Sequence, residues 1–87
     1  GNEVSFSEGI EINVYPNPFH NELNIKLTGE MLEYPVIKIY NSTGMLISEE
    51  LMLSDYTSIS SDNLSAGVYI IKVIGKNINK SFRVVKE

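Results

Sequence analysis

The chain has 87 residues, no cysteine, no tryptophan and a formal net charge of −4, with seven Lys plus Arg against eleven Asp plus Glu. That length holds one small domain, and the missing thiols exclude a disulfide framework, a thiolate metal site and a cysteine nucleophile. The acidic balance argues against a nucleic-acid or anionic-membrane surface, and no run approaches the ~18 apolar residues of a membrane span. Gly1 to Glu8 is polar and acidic, with neither the basic start nor the apolar stretch of a signal peptide. Residues 1–9 therefore read as a linker or tag remnant, and 10–87 as the domain, with any export signal on a longer parent chain.

From Ile10 the pattern becomes β. Ile10, Ile12 and Val14 alternate with Glu11 and Asn13, a period of two. Pro16-Asn17-Pro18 then stops the ladder and sets a turn, because proline brings no backbone donor. Leu23, Ile25 and Leu27 mark a second half-buried strand, broken at Thr28-Gly29-Glu30. Pro35 opens a third, Val36 to Tyr40, and Asn41-Ser42-Thr43-Gly44 turns it into a hairpin. The partner strand shares one parity at Met45, Ile47, Glu49 and Leu51. Tyr56 to Ser60 has the β-branched and aromatic content of a short fifth strand. Ser61 to Gly67 is a polar turn around Leu64. Val68 to Ile74 is apolar except for Lys72 and predicts a central strand buried on both faces. Gly75-Lys76-Asn77 turns into the last strand, Lys80 to Val85. No helix is predicted. Seven short strands at this spacing predict an all-β, small immunoglobulin-like antiparallel sandwich, with a closed barrel as the alternative.

Chemistry-bearing residues are sparse. His20 is the one histidine, and none of the Asp and Ser residues forms a recognisable catalytic constellation with it. Asp55, Asp62 and Asn63 lack the dense alternation of oxygen ligands in a calcium loop, and an Asx-turn role fits Asp62 or Asn63 better. Tyr15, Tyr34, Tyr40, Tyr56 and Tyr69 could line a carbohydrate platform, although strand tyrosines more often bury the ring and keep the hydroxyl wet. The residues themselves therefore predict no enzyme, no metal and no cofactor. They leave open a cell-surface adhesion or carbohydrate-binding module.

Four motifs in order add a resemblance. Val14-Tyr15-Pro16-Asn17-Pro18 leading to Leu23-Asn24-Ile25, and Val36 to Gly44, are the first two. Asn63-Leu64-Ser65-Ala66-Gly67-Val68-Tyr69-Ile70-Ile71-Lys72-Val73, and Gly75-Lys76 followed by Lys80 to Lys86, are the others. Together they resemble the type IX secretion C-terminal sorting domains (type A). Asn41 stands where that family often has Asp, and Glu87 follows Lys86 where many members end on a basic residue.

The resemblance implies a non-catalytic address on the C-terminus of a covalently linked cargo. It implies transit through the periplasm of a Gram-negative cell and recognition by type IX outer-membrane translocon and shuttle proteins. A sortase-like signal peptidase would then remove the domain at the outer-membrane surface. The sequence does not mark the cut; Gly1 to Glu8 is the exposed stretch that a peptidase could reach. The recognition residues it implies are Tyr15, Pro16, Asn17, Pro18, Leu64, Gly67, Val68, Tyr69, Lys80, Val84, Val85 and Lys86. A last strand at a sheet edge would offer its backbone to a receptor strand, or to a second copy as an edge-strand dimer.

Overall fold

A computed structural model describes residues 1–87. Eight strands follow one another: β1 (Glu3–Ser7), β2 (Ile10–Tyr15), β3 (Glu22–Thr28), β4 (Val36–Asn41), β5 (Leu46–Leu51), β6 (Tyr56–Ser60), β7 (Gly67–Gly75) and β8 (Ile78–Lys86). They form two four-stranded antiparallel sheets, ordered β1-β2-β3-β6 and β5-β4-β7-β8. The result is the expected small immunoglobulin-like sandwich, without a helix.

Alternation decides which side chains meet between the sheets. Ile10, Ile12 and Val14 of β2 and Leu23, Ile25 and Leu27 of β3 face Ile37 and Ile39 of β4, Ile71 and Val73 of β7, and Phe82 and Val84 of β8. Burying each such side chain stabilises by about 1.5–3 kcal/mol, which is how so small a chain offsets its ordering entropy. The pairs Ile39–Ile71 and Ile71–Phe82 lie side by side across three strands, so Ile71 sits at the centre of its sheet.

Two expectations change. First, the segment read as a linker contains β1, which pairs with β2 from Glu3–Val14 to Ser7–Ile10. Its polar residues Glu3, Ser5 and Ser7 point inwards, while Val4 and Phe6 point to solvent. Hydrophobic patterning alone therefore conceals it. Ser7 is placed by donating its hydroxyl to the Asn77 carbonyl in the β7–β8 turn, at 3.0 Å. Second, β7 is central, between β4 and β8, but not buried on both faces. Tyr69, Ile71 and Val73 are buried, and Val68, Ile70, Lys72 and Ile74 are half-buried on an open outer face. There Lys72 lies over the Tyr40 ring, 5.2 Å from its centre, and takes part in a cation–π contact.

The β4–β5 turn forms as its residues predict. The Asn41 carboxamide oxygen accepts from Thr43 N–H, Thr43 Oγ1 and Met45 N–H at 3.1, 2.8 and 2.9 Å. That arrangement is an Asx turn, closed by Gly44 at φ 88°. A register shift follows between Ile39 and Tyr40, and β5 runs on as an edge strand with only Ser48 half-buried.

Candidate functional site

The site grows from the end of β2. After Tyr15, the two prolines remove two backbone donors, and both the Tyr15–Pro16 and Asn17–Pro18 peptide bonds are cis. The chain leaves the sheet as an exposed bend, with Pro16 and Pro18 outward and Asn17 turned in. The bend is anchored by Phe19, which is 1% exposed. Its ring meets the edge of Tyr69 at 6.5 Å and an interplanar angle of 61°, a favourable aromatic geometry.

Asn17 uses every polar atom it has. Its side-chain oxygen accepts from Val85 N–H at 2.9 Å, and its side-chain nitrogen donates to the Arg83 carbonyl at 3.1 Å and to Glu3 Oε1 at 2.6 Å. Its backbone N–H donates to the Gly1 carbonyl, and its carbonyl accepts from the Gly1 amino group, both at 2.6 Å. A carboxamide presents a donor and an acceptor with the spacing of a peptide group. Asn17 thus stands in for one residue of a ninth strand beside β8. Phe19 supplies the next: its N–H donates to the Val85 carbonyl at 2.9 Å, and its carbonyl accepts from Glu87 N–H at 3.0 Å. Phe19 and Lys86 form a parallel bridge.

The β6–β7 loop completes this corner. Ser61 is buried, donates its hydroxyl to the His20 carbonyl, and takes the Asn21 carbonyl on its own N–H. Leu64 packs against the core. Gly67, at φ 151°, adopts backbone that L side chains rarely take. Two residues on, Tyr69 bends back to donate its hydroxyl to the Ser65 carbonyl at 2.7 Å. Lys86 Nζ reaches the His20 carbonyl at 3.0 Å, and His20 Nε2 lies 3.3 Å from Glu87 Oε1.

The residues singled out in the sequence are therefore gathered at one end of the sandwich, with one exception. Gly67, Val68 and Tyr69 pair directly with Lys86, Val85 and Val84, and Tyr15 to Pro18 abut the same strand end. Lys80 lies far along β8, opposite Val73, and takes no part. Tyr69 and Val84 are buried, so they shape the corner from within. Pro16, Pro18, Val68, Val85 and Lys86 keep exposed surface.

Sequence reasoning missed Glu3, Phe19, Arg83 and Ser61, which complete the corner. An apolar residue directly after the Pro-Asn-Pro bend was the available signal for Phe19. The expectation of a last strand offering its edge backbone holds only in part. β8 is an edge strand, but Asn17 and Phe19 occupy its outer side from Arg83 to Glu87. The outward groups of Asn79 and Ser81, which share the parity of Arg83 and Val85, lie outside the clasp, on the stretch of β8 that β1 flanks.

The other candidates do not assemble. No group of three or more His, Cys, Asp or Glu could hold a metal ion. The five tyrosines are dispersed: Tyr69 is in the core, Tyr15 and Tyr56 are on the β1-β2-β3-β6 sheet, Tyr40 is on the other sheet, and Tyr34 is in a loop. Tyr56 donates its hydroxyl to Asn24 Oδ1 at 2.6 Å, a strand-to-strand tie.

Comparison with known proteins bears on the family and the fold. A family model described as "Secretion system C-terminal sorting domain" matches residues 13–87. No curated protein matches the chain. Among solved structures, the fold is similar to part of PorZ, a bacterial surface component of the type-IX secretion system of Porphyromonas gingivalis. The TM-score is 0.71 at 20% identity, over 87% of this chain and 11% of PorZ. The chain thus spans about a ninth of that protein. With the motif corner assembled and the family model covering all but the first strand and the start of the second, the chain belongs to the type IX secretion C-terminal sorting domain family.

Proposed function

We propose that the domain is a non-catalytic sorting signal. It directs a covalently attached cargo from the periplasm through the type IX outer-membrane machinery to the cell surface, and a sortase-like peptidase then removes it. The observation that carries this reading is the Asn17 clasp. It ties the Pro-Asn-Pro motif, the last strand and the first residues of the chain to one corner. A receptor docking there meets both signature segments at once.

The surface offered to translocon or shuttle proteins consists of Pro16, Pro18, Val68, Val85 and Lys86. The two prolines have few conformations to lose on binding. Strand addition by a receptor, or by a second copy at the edge, is directed to the Asn79–Ser81 stretch of β8, which the clasp does not fill and which β1 flanks. Peptidases need an extended, unpaired substrate. Glu3 to Ser7 are hydrogen-bonded into the sheet, so the cut falls ahead of Glu3.

The test is a reporter exported to the periplasm and fused ahead of Gly1 in a type IX-competent cell. The parent sequence carries it to the surface. A Pro18→Ser, Lys86→Ala variant that melts like the parent leaves more of it in the periplasm. Periplasmic retention of the parent fusion, with the domain folded, overturns the reading.

A further inference from the structure

We propose that β1 exchanges between two copies of this chain, and that the Glu8-Gly9 turn is the hinge. Four observations carry it, none of which depends on the sorting role.

The hinge is a two-residue hairpin turn between the paired residues Ser7 and Ile10. Glu8 sits at φ 50° and Gly9 at φ 78°. The left-handed region suits glycine and asparagine, and an ordinary side chain is strained there. Glu8 is the one non-glycine residue of the chain with positive φ. Opening the turn relieves it. Short hinges under strain favour exchange of the element they hold.

β1 is also cheap to detach. None of its five side chains is fully buried, and Phe6 is 67% exposed. It is held by its ladder to β2, by Glu3 to Asn17, by Ser7 to Asn77 and by the two bonds of Gly1 with Asn17, and it lies beside β8. All of these can be remade with the partner copy, whose sequence is the same.

The register closes without a gap. Continuing the Glu3–Val14 to Ser7–Ile10 pairing by two places sets Glu8 of one copy opposite the partner's Gly9. The opened segments thus form an unbroken antiparallel ladder through the hinge, with two pairs the monomer lacks.

The hydrophobic pattern fits the opened form. Val4, Phe6, Ile10, Ile12 and Val14 share one parity, interrupted only by Glu8. Folded as a hairpin, that parity splits: Val4 and Phe6 face solvent while Ile10, Ile12 and Val14 face the core. Straightened, all five fall on one side of a single strand. Phe6 then lies about 13 Å beyond Ile10 on the core side, past the end of its own sandwich. An open recess is at that end, lined by Ile10, Met31, Leu32 and Ile78 together with five polar residues, Glu8 of the hinge among them, and Leu32 there is 96% exposed.

The experiment is sedimentation of the 87-residue chain from low micromolar to millimolar concentration, with two hinge variants and one cross-link. The parent is expected to dimerise at the upper end. Gly9→Val, which disfavours positive φ, tightens the dimer by about tenfold. Glu8→Asn, which creates the Asn-Gly pair favoured in such turns, weakens it. The chain has no cysteine, so Val4→Cys with Asn13→Cys gives a single reporter pair across the β1–β2 ladder, within disulfide reach. Oxidising the isolated dimer is expected to join two chains covalently. If Gly9→Val does not fold, Glu8→Asn and the cross-link still decide. Parent and hinge variants that stay monomeric throughout overturn the proposal. So does a dimer whose cross-links are all within one chain, the mark of edge-to-edge contact without exchange.

Discussion

At the scale of single residues, Asn17 shows how a small polar side chain controls a sheet edge. Its carboxamide pairs with Arg83 and Val85, 66 and 68 positions away in sequence, and a third bond reaches Glu3. Asn17→Ala leaves the partly buried Val85 N–H without its acceptor and the Arg83 carbonyl without its donor, so a loss of about 1–3 kcal/mol is expected in urea unfolding. Asn17→Asp keeps the acceptor for Val85 but sets a carboxylate against Glu3. Its cost should therefore fall when Glu3→Gln is added, and a double-mutant cycle measures that recovery. Absence of any coupling would mean that Glu3 is not a partner. Tyr69 makes a separate contribution. Its ring packs on Phe19, and its hydroxyl closes on Ser65. Tyr69→Phe keeps the ring and is expected to lose about 1 kcal/mol for the hydrogen bond.

At the scale of elements, the two faces of the first hairpin make opposite contributions. Ile12 is wholly buried against the second sheet, and Ile12→Ala is expected to cost about 2–5 kcal/mol. Val4 and Phe6 lie on the solvent side of β1, so Val4→Thr and Phe6→Thr should stay within about 0.5 kcal/mol of the parent. Thermal melts separate the two classes. This contrast also shows what could be read from the sequence. Strands β2, β3 and β4 are legible because their apolar residues alternate into one core. The β4–β5 turn is legible because Asn41 and Gly44 carry their own conformational preferences. β1 is not legible, because the residues it turns inwards are Glu3, Ser5 and Ser7, and a pattern search looks for the reverse. The clasp is legible only in its parts. Motif order brings Pro-Asn-Pro and the last strand to attention, but no local rule predicts that one carboxamide will span them. The half-buried outer face of β7 is hidden for a similar reason: Val68, Ile70 and Ile74 are apolar, and sequence cannot tell a half-covered face from a buried one.

At the scale of the molecule, the two chain ends are unequal, although each supplies an edge strand. β8 carries Ile78, Phe82 and Val84 into the core and offers its free side to Asn17 and Phe19. β1 carries no side chain fully inside. Removing residues 1–7 therefore deletes one ladder, the Glu3–Asn17 and Ser7–Asn77 contacts and the pairing of Gly1 with Asn17, while the sixteen buried hydrophobic residues remain. The shortened chain is expected to keep its far-ultraviolet spectrum and a cooperative melt at lower temperature. Removing residues 82–87 takes Phe82 and Val84 from the core and strips Asn17 of two partners. Each loss alone is of the order of several kcal/mol for the large side chain and 1–3 kcal/mol for an unpaired buried group, against a total stability of about 5–15 kcal/mol for a domain. That chain is expected to show no cooperative transition. The asymmetry bears on the proposed sorting role. If the clasped corner is the signal, it exists only after β8 has docked, because Arg83, Val85 and Glu87 complete it. Its display then reports that the domain has folded. A shortened chain lacking residues 82–87 that still melted cooperatively would break this link between folding and display.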